Sequence, residues 1–189
     1  MENSDLMLKL PQVRGKYRFN AAIKTWFDVG GFAEVLFKPQ DDEDLAFFLK
    51  NRPQDLDIYF LGAGSNVIIS DNGLKGVLIR PGAQFANISY QDGRLTAGCS
   101  CINVNLIEFC KNNALSGLEF LSGVPGSVGG AVAMNAGCYG DETKDALLSV
   151  KAIDRNGNIK NFDSKDISSS PMFSNPSRGT GLKVKSSFL

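Results

Sequence analysis

The sequence predicts an α+β chain folded as two lobes, and three observations predict it. Up to residue 79, short apolar runs alternate with one helical segment, the pattern of a compact α/β unit. From about residue 85, hairpin signals take over, at Gln91, Asp92 and Gly93 and again at Asn156 and Gly157. Two glycine-dense turns, residues 62–66 and 122–140, then fall one in each half. A length of 189 residues allows one domain or two small lobes. The lobes are placed at residues 1–82 and 83–167, with an atypical tail at 168–189.

Taken in order, residues 1–24 read as an N-terminal helix or arm. The apolar run 33–38 stops before Pro39 and reads as a strand. Asp41, Asp42 and Glu43 open a helix carrying Leu45, Phe47, Phe48 and Leu49, because acidic residues suit the positive end of the helix dipole. Pro53 stands where that helix has ended. Residues 58–61 are too short a run for a helix. The glycine turn follows, then strands at 67–69 and 77–79 separated by Asp71, Asn72 and Gly73. In the second lobe, 88–90 and 94–97 flank the first hairpin turn. Asn103 is placed as the N-cap of a helix carrying Leu106, Ile107, Cys110 and Ala114, with Gly117 just past its end. Residues 147–153 and 159–162 pair about the second hairpin turn. The tail opens with Ser168, Ser169, Ser170 and Pro171, has little periodicity, and is expected to be loosely ordered.

Composition excludes several functions. Twenty Lys and Arg balance twenty Asp and Glu, so no net field draws the chain to nucleic acid or a membrane surface. An anion must be held by local groups. There is no histidine, which removes the commonest metal ligand and the commonest general base near neutral pH. Cys99, Cys101, Cys110 and Cys138 contain no Cys-x-x-Cys pair and read as small buried residues in a reducing compartment, not as a disulfide framework or metal site. Residues 1–10 do not resemble a signal peptide, and no run of about 18 apolar residues spans a membrane. A cytoplasmic location follows by elimination.

The first turn holds Gly62, Ala63, Gly64, Ser65 and Asn66. Glycine lets successive amides point inward as an anion-binding nest, and Ser65 and Asn66 add side-chain donors. A diphosphate could lie there with no positive side chain nearby. The turn lacks the G-x-G-x-x-G spacing and following helix of a Rossmann site, and such a turn also occurs for purely structural reasons. The second turn holds Gly123, Val124, Pro125, Gly126, Ser127, Gly129 and Gly130, and runs on to Asn135, Ala136 and Gly137. Pro125 and Gly126 make a tight turn, and Ser127 caps a short helix whose amino end would attract phosphate. The alternative is a tightly packed helix with a glycine-rich lead-in. Together the turns suit a long dinucleotide bridging both lobes.

Three segments carry a family resemblance: Thr25, Trp26, Phe27, Asp28, Val29, Gly30 and Gly31; the run LGAGSNVIISD at 61–71; and SGVPGSVGGAVAMNAGCYG at 122–140. From about residue 14 to 167 the chain resembles the UDP-N-acetylenolpyruvoylglucosamine reductases, also called UDP-N-acetylmuramate dehydrogenases. The resemblance implies FAD in a two-lobed fold similar to that of p-cresol methylhydroxylase. Gly62 through Asn66 would hold the FAD diphosphate. Gly123, Val124, Pro125, Gly126, Ser127, Gly129 and Gly130 would line the flavin side, with Asn135, Ala136 and Gly137 close by. Tyr139 would lie near the substrate channel, or be an ordinary surface aromatic. The implied reaction moves a hydride from NADPH through the flavin to the enolpyruvyl group of a UDP-sugar. A serine gives the proton, and an arginine and a glutamate stabilise the enolate-like charge. The product, UDP-N-acetylmuramate, is a peptidoglycan precursor, which ties the reaction to cell wall formation, cell shape and division.

The chain also departs from that family. The family's C-terminal substrate domain carries the serine and glutamate, and a chain ending at Leu189 has no room for it. The family's Tyr-Arg pair does not follow residue 167, and Tyr17 and Arg18 are in the wrong place to replace it. Near Phe173, Ser174, Asn175 and Pro176, the position expected for serine is Pro171; Arg178 does not stand in for the missing arginine. No catalytic residue is therefore assigned, and an interruption near residue 167 is expected. The alternatives are an inactive FAD-binding remnant, or another flavin oxidoreductase of the same fold.

Overall fold

The computed structural model describes residues 3–29, 31–164 and 185–188. Helix α1 (Asn3–Lys9) accounts for part of the expected N-terminal arm, but Lys16–Ala22 is a strand, β1. Its residues alternate between exposed and half-buried, as an edge strand packed on one face should. The alternation Lys-Tyr-Arg-Phe carried that signal. The lobe continues through β2 (Phe32–Lys38), α2 (Asp42–Asn51), β3 (Ile58–Phe60) and β4 (Leu74–Ile79). Its sheet runs β1-β2-β4-β3; β1 and β2 are antiparallel, and β4 is parallel to both its neighbours.

Strand β2 sends Val35 and Phe37 to one face, with Val77 and Ile79 of β4, against Leu45, Phe48 and Leu49 of α2. Ala33, Leu36 and Leu78 point the other way, under Leu61 and Ile69. Both faces are covered, which is why β2 and β4 read as nearly continuous apolar runs. The expected strand at 67–69 is absent. Ile69 is instead tucked beneath the sheet, so close to Gly31 that a Cβ there would fall 2.3 Å from Ile69 Cγ2.

Asp41 caps α2, accepting from the amide of Asp44 at 2.9 Å, and the acidic first turn stands as expected. Asp44 does more than complement the dipole. Its buried carboxylate accepts from the amides of Arg14 at 2.7 Å, Gly15 at 2.9 Å and Gln40 at 2.9 Å, fixing the lead-in to β1.

The second lobe begins with the hairpin β5 (Ile88–Gln91) and β6 (Arg94–Gly98), closed by Asp92 and Gly93 at φ 51° and 74°. Two positive φ angles match the right-handed twist of the flanking strands. Helices α3 (Asn103–Asn112) and α4 (Val128–Met134) follow, then the small pair β7 (Gly137–Cys138) and β8 (Asp141–Glu142), α5 (Thr143–Ala146), and the hairpin β9 (Leu147–Ile153) and β10 (Ile159–Asp163). The N-cap of α3 is Ile102, one residue before the expected Asn103. The helix ends at Asn112, short of the expected Ala114; Ala114, φ 52°, rather than Gly117, is the left-handed residue just beyond the cap, and the Leu115 amide returns to the Cys110 carbonyl at 2.9 Å.

Residues 185–188 correct the expectation of a loosely ordered tail. They form β11 (Lys185–Phe188), which lies between β9 and β6 in an antiparallel sheet ordered β10-β9-β11-β6-β5. Pairing partners far away in sequence supply its ladder, so local composition carried little sign of it. The rest of the proposed tail, 168–184, and Gly30 lie outside the described residues. The sheet packs on α3 and α4 through Leu95, Ala97, Leu106, Cys110, Val132 and Val150. Hairpin β9–β10 straps the lobes together. Ile153 joins the α2 core, Lys151 pairs with Asp42 at 3.5 Å, and Gly157 lies so close to α2 that a Cβ would fall 2.3 Å from the Ala46 carbonyl.

Candidate functional site

The first turn leaves the sheet where β3 ends. Leu61 donates to Ile79 O at 3.0 Å, and Gly64 O accepts from the Trp26 amide at 3.0 Å. Gly64 sits at φ 77°, and a Cβ on it would lie 3.4 Å from Thr25 Cα. Among the described residues, no amide from 62 to 66 donates to a protein acceptor. Beside them the Thr25 hydroxyl is buried with no hydrogen-bond partner among the described residues. The turn is a concentration of unused donors, the property an anion needs.

The second turn is built differently. Asn103, itself buried, donates its amide to Gly126 O at 3.0 Å and its Nδ2 to Val124 O at 2.8 Å. Val128 donates to Cys101 O at 2.8 Å and Gly129 to Cys99 O at 2.9 Å. These are the first two amides of α4, and both are engaged inside the fold. Ser127 stands at the N-cap position, but its side chain makes no capping bond. Glycine here serves close approach: a Cβ on Gly129 would fall 2.8 Å from Cys99 Cβ.

The fold brings the two turns into contact. Ser65 Oγ donates to Pro125 O at 3.1 Å. A Cβ on Gly62 would fall 2.5 Å from Ser127 Oγ, and one on Gly126 would fall 2.8 Å from Ser65 Oγ. Beside this joint runs a groove of about 410 Å³, lined by Gly62, Ala63, Ser127, Arg80, Ile88 and Ile102 among others. Cys101 also lines it; burial pushes its thiol up to about 11, helped by Cys110, so it adds no negative charge near neutral pH. A flexible, anionic, partly flat dinucleotide fits these residues.

The remaining predicted residues divide. Gly130 lies near Ser127, since a Cβ there would be 3.5 Å from its Oγ. Asn66 is exposed beside the first turn. Gly123 lies against the β7–β8 pair, where a Cβ would fall 2.5 Å from Cys138 Sγ and 3.0 Å from the Tyr139 ring. Tyr139 is 81% exposed. Asn135, Ala136 and Gly137 have structural work. Asn135 ends α4 at φ 46°, donates to Glu142 Oε2 at 2.8 Å and accepts from the Lys144 amide at 3.0 Å. Ala136 O accepts from Thr143 Oγ1 at 2.7 Å, and Gly137 pairs with Glu142. Sequence reasoning missed Arg80 and Asn103. Arg80 follows an apolar strand with no motif around it, and Asn103 was read only as a cap. Among the described residues no cluster of three Cys, Asp or Glu is arranged to hold a metal, and no helix is long and apolar enough to cross a membrane.

Two touching turns, one rich in free amides and the other closely packed, thus border one groove in an α+β fold of the FAD-binding class. A family model described as FAD binding domain matches residues 33–163, and the chain belongs to that family. It is 52% identical over 163 residues to the UDP-N-acetylenolpyruvoylglucosamine reductase of Rickettsia conorii, covering 85% of this chain and 55% of that one. The crystal structure of UDP-N-acetylenolpyruvylglucosamine reductase from Thermus caldophilus aligns with TM-score 0.72 and 27% identity, over 94% of this chain and 62% of that one. The 6-hydroxy-D-nicotine oxidase of Arthrobacter nicotinovorans, at 14% identity and TM-score 0.64 over 94% of this chain and 42% of its own, shares the fold. The α+β FAD-binding fold expected from the resemblance is the fold found. The chain spans about half the length of the curated relatives it matches.

Proposed function

We propose that this chain is the FAD-binding part of a UDP-N-acetylenolpyruvoylglucosamine reductase acting in the cytoplasm on a peptidoglycan precursor. The observation that carries the reading is the Ser65–Pro125 contact, which joins the free amides of residues 62–66 to the second turn. Gly62, Ala63, Gly64, Ser65 and Asn66 hold the diphosphate through backbone and side-chain donors. Gly123, Val124, Pro125, Gly126, Ser127, Gly129 and Gly130 wall the flavin side by close packing. Asn135, Ala136 and Gly137 fix the end of α4 behind that wall. Tyr139, exposed beside Gly123, lies at the mouth of the substrate channel. Bound FAD would supply the hydride relay between NADPH and the enolpyruvyl double bond of the UDP-sugar.

A second reading, FAD binding without turnover, is favoured by Pro171 at the position where the resemblance expects serine and by the lack of a Tyr-Arg pair after residue 167. One experiment addresses both. Purified protein is folded with FAD, its visible spectrum recorded, and NADPH added without oxygen, with and without the enolpyruvyl UDP-sugar. A retained flavin spectrum, bleached by NADPH and restored by the sugar, is the expected result. Retention without sugar-dependent restoration leaves the second reading, and colourless protein overturns both.

A further inference from the structure

The groove beside the two turns has an electrostatic character that the flavin reading alone does not require. Arg80 follows the last residue of β4, and its amide donates to Phe37 O at 2.9 Å, so its position is set by the sheet. Its half-buried side chain lines the groove with Gly62, Ala63 and Ser127. Among the described residues no carboxylate pairs with it, and none lines the groove. An arginine left unpaired in a partly desolvated groove is a ready anion site, because its planar fork matches phosphate oxygens.

Two further features point the same way. The amino end of α3, a helix of 10 residues, reaches the groove through Ile102 and Asn105; no side chain caps it and no acidic residue lies in its first turn. The Asn103 amide donates to Gly126 O and the Asn105 amide returns to Ile102 O, so it is the helix dipole that favours negative charge there. Ser127 is only 3% exposed and lines the groove, yet its hydroxyl has no hydrogen-bond partner among the described residues. A guanidinium, an uncapped helix end and an unpartnered hydroxyl thus converge beside the free amides of the first turn.

The position also selects which phosphate. Gly123, Cys138 and Tyr139 meet beyond the joint and are not part of the groove lining. The groove instead continues past Ala83, Ala86 and Ile88, an apolar strip suited to a flat base. We propose that Arg80 binds the adenylate phosphate of the dinucleotide, and that it sets the preference for FAD over FMN. The assignment rests on the flavin reading for the identity of the other end of the ligand, but the adenosine diphosphate part is testable by itself.

Three ligands, FAD, FMN and ADP, are titrated against the wild-type chain, Arg80→Met and Arg80→Lys, at low and high salt. Flavin fluorescence reports the first two ligands, and calorimetry the third. Arg80→Met is expected to weaken FAD and ADP by roughly 10- to 100-fold at low salt, the loss of a charged hydrogen-bonded contact. It should also flatten the salt dependence, while FMN affinity stays unchanged. Arg80→Lys keeps the charge and should recover part of the loss and most of the salt dependence. Thermal melts without ligand check that the variants fold. If wild type binds ADP in an Arg80-dependent way but not FAD, the flavin reading and the preference for FAD over FMN fail, and the adenylate-phosphate contact stands. If wild type binds FAD or ADP and Arg80→Met binds as tightly with the same salt slope, or if FMN weakens equally, the assignment is overturned. Failure of wild type to bind either adenine nucleotide overturns it as well.

Discussion

The two glycine turns differ in where their amides go. In the first, residues 62–66 donate to no described protein acceptor. In the second, Val124, Val128 and Gly129 all donate inside the fold, and Asn103 braces two carbonyls. A third turn, at the tip of hairpin β9–β10, supplies its own anion: Asp154 Oδ1 accepts from the amides of Asn156 and Asn158, each at 2.9 Å. Glycine density alone therefore does not mark an anion site. What matters is whether the amides already have acceptors, and that depends on the surrounding fold.

The largest expected effect breaks the second turn through its packing. Gly129→Val places atoms against Cys99, where a Cβ alone would lie 2.8 Å from both Cys99 Cβ and its carbonyl. It should destabilise the chain by about 1–3 kcal/mol or more in urea unfolding, with most of the loss of flavin retention following the loss of folded protein. Next, Asn103→Ala removes the donor that holds Val124 O, and a cost of about 1–3 kcal/mol is expected, again read in the urea midpoint. The first turn should behave in the opposite way. Gly64→Ala forces a side chain into φ 77°, at a cost of about 1–2 kcal/mol in stability, but FAD retention should be lost at protein concentrations where the folded population is intact. Should Gly64→Ala and Gly129→Val lower stability and flavin retention in the same proportion, the contrast between the turns disappears. Ser65→Ala, which unlinks the turns, should weaken FAD by about 0.5–1.5 kcal/mol in a fluorescence titration and leave melting nearly unchanged.

The smallest effect tests the third turn by pH. Desolvation would raise the Asp154 carboxyl, but hydrogen bonds from Asn158, Lys160 and Asn156 win and hold it at about 2. The folded value is below the unfolded one, near 4, so its contribution is complete above about pH 4 and is lost as pH falls toward 2. Asp154→Asn should lose part of the acid sensitivity of the urea midpoint. An unchanged acid profile in that variant would show that the turn is held by its backbone alone.

Much of the fold was legible because local signals agreed with tertiary demand. Strands β2 and β4 are buried on both faces and so appear as apolar runs. Asp41 caps α2 because it heads an acidic turn, and Asp92 and Gly93 fit a tight hairpin. Strand β1 was hidden because an edge strand half-exposed on one face has mixed composition. The apolar run at 67–69 misled because an apolar triplet can cover a sheet as well as extend one. Strand β11 was illegible because its pairing partners lie far away in sequence.

The sequence by itself determined the family, the two lobes and the residue types at both turns, since glycine, serine and asparagine at those spacings restrict what the backbone can do. Only the tertiary structure decided which amides stay free and that Ser65 meets Pro125 across 60 positions. It also decided that Arg80 faces the same groove as Ser127. The reason is physical: donor availability and charge pairing depend on neighbours brought in by folding, and neighbours distant along the chain leave no periodic trace in it.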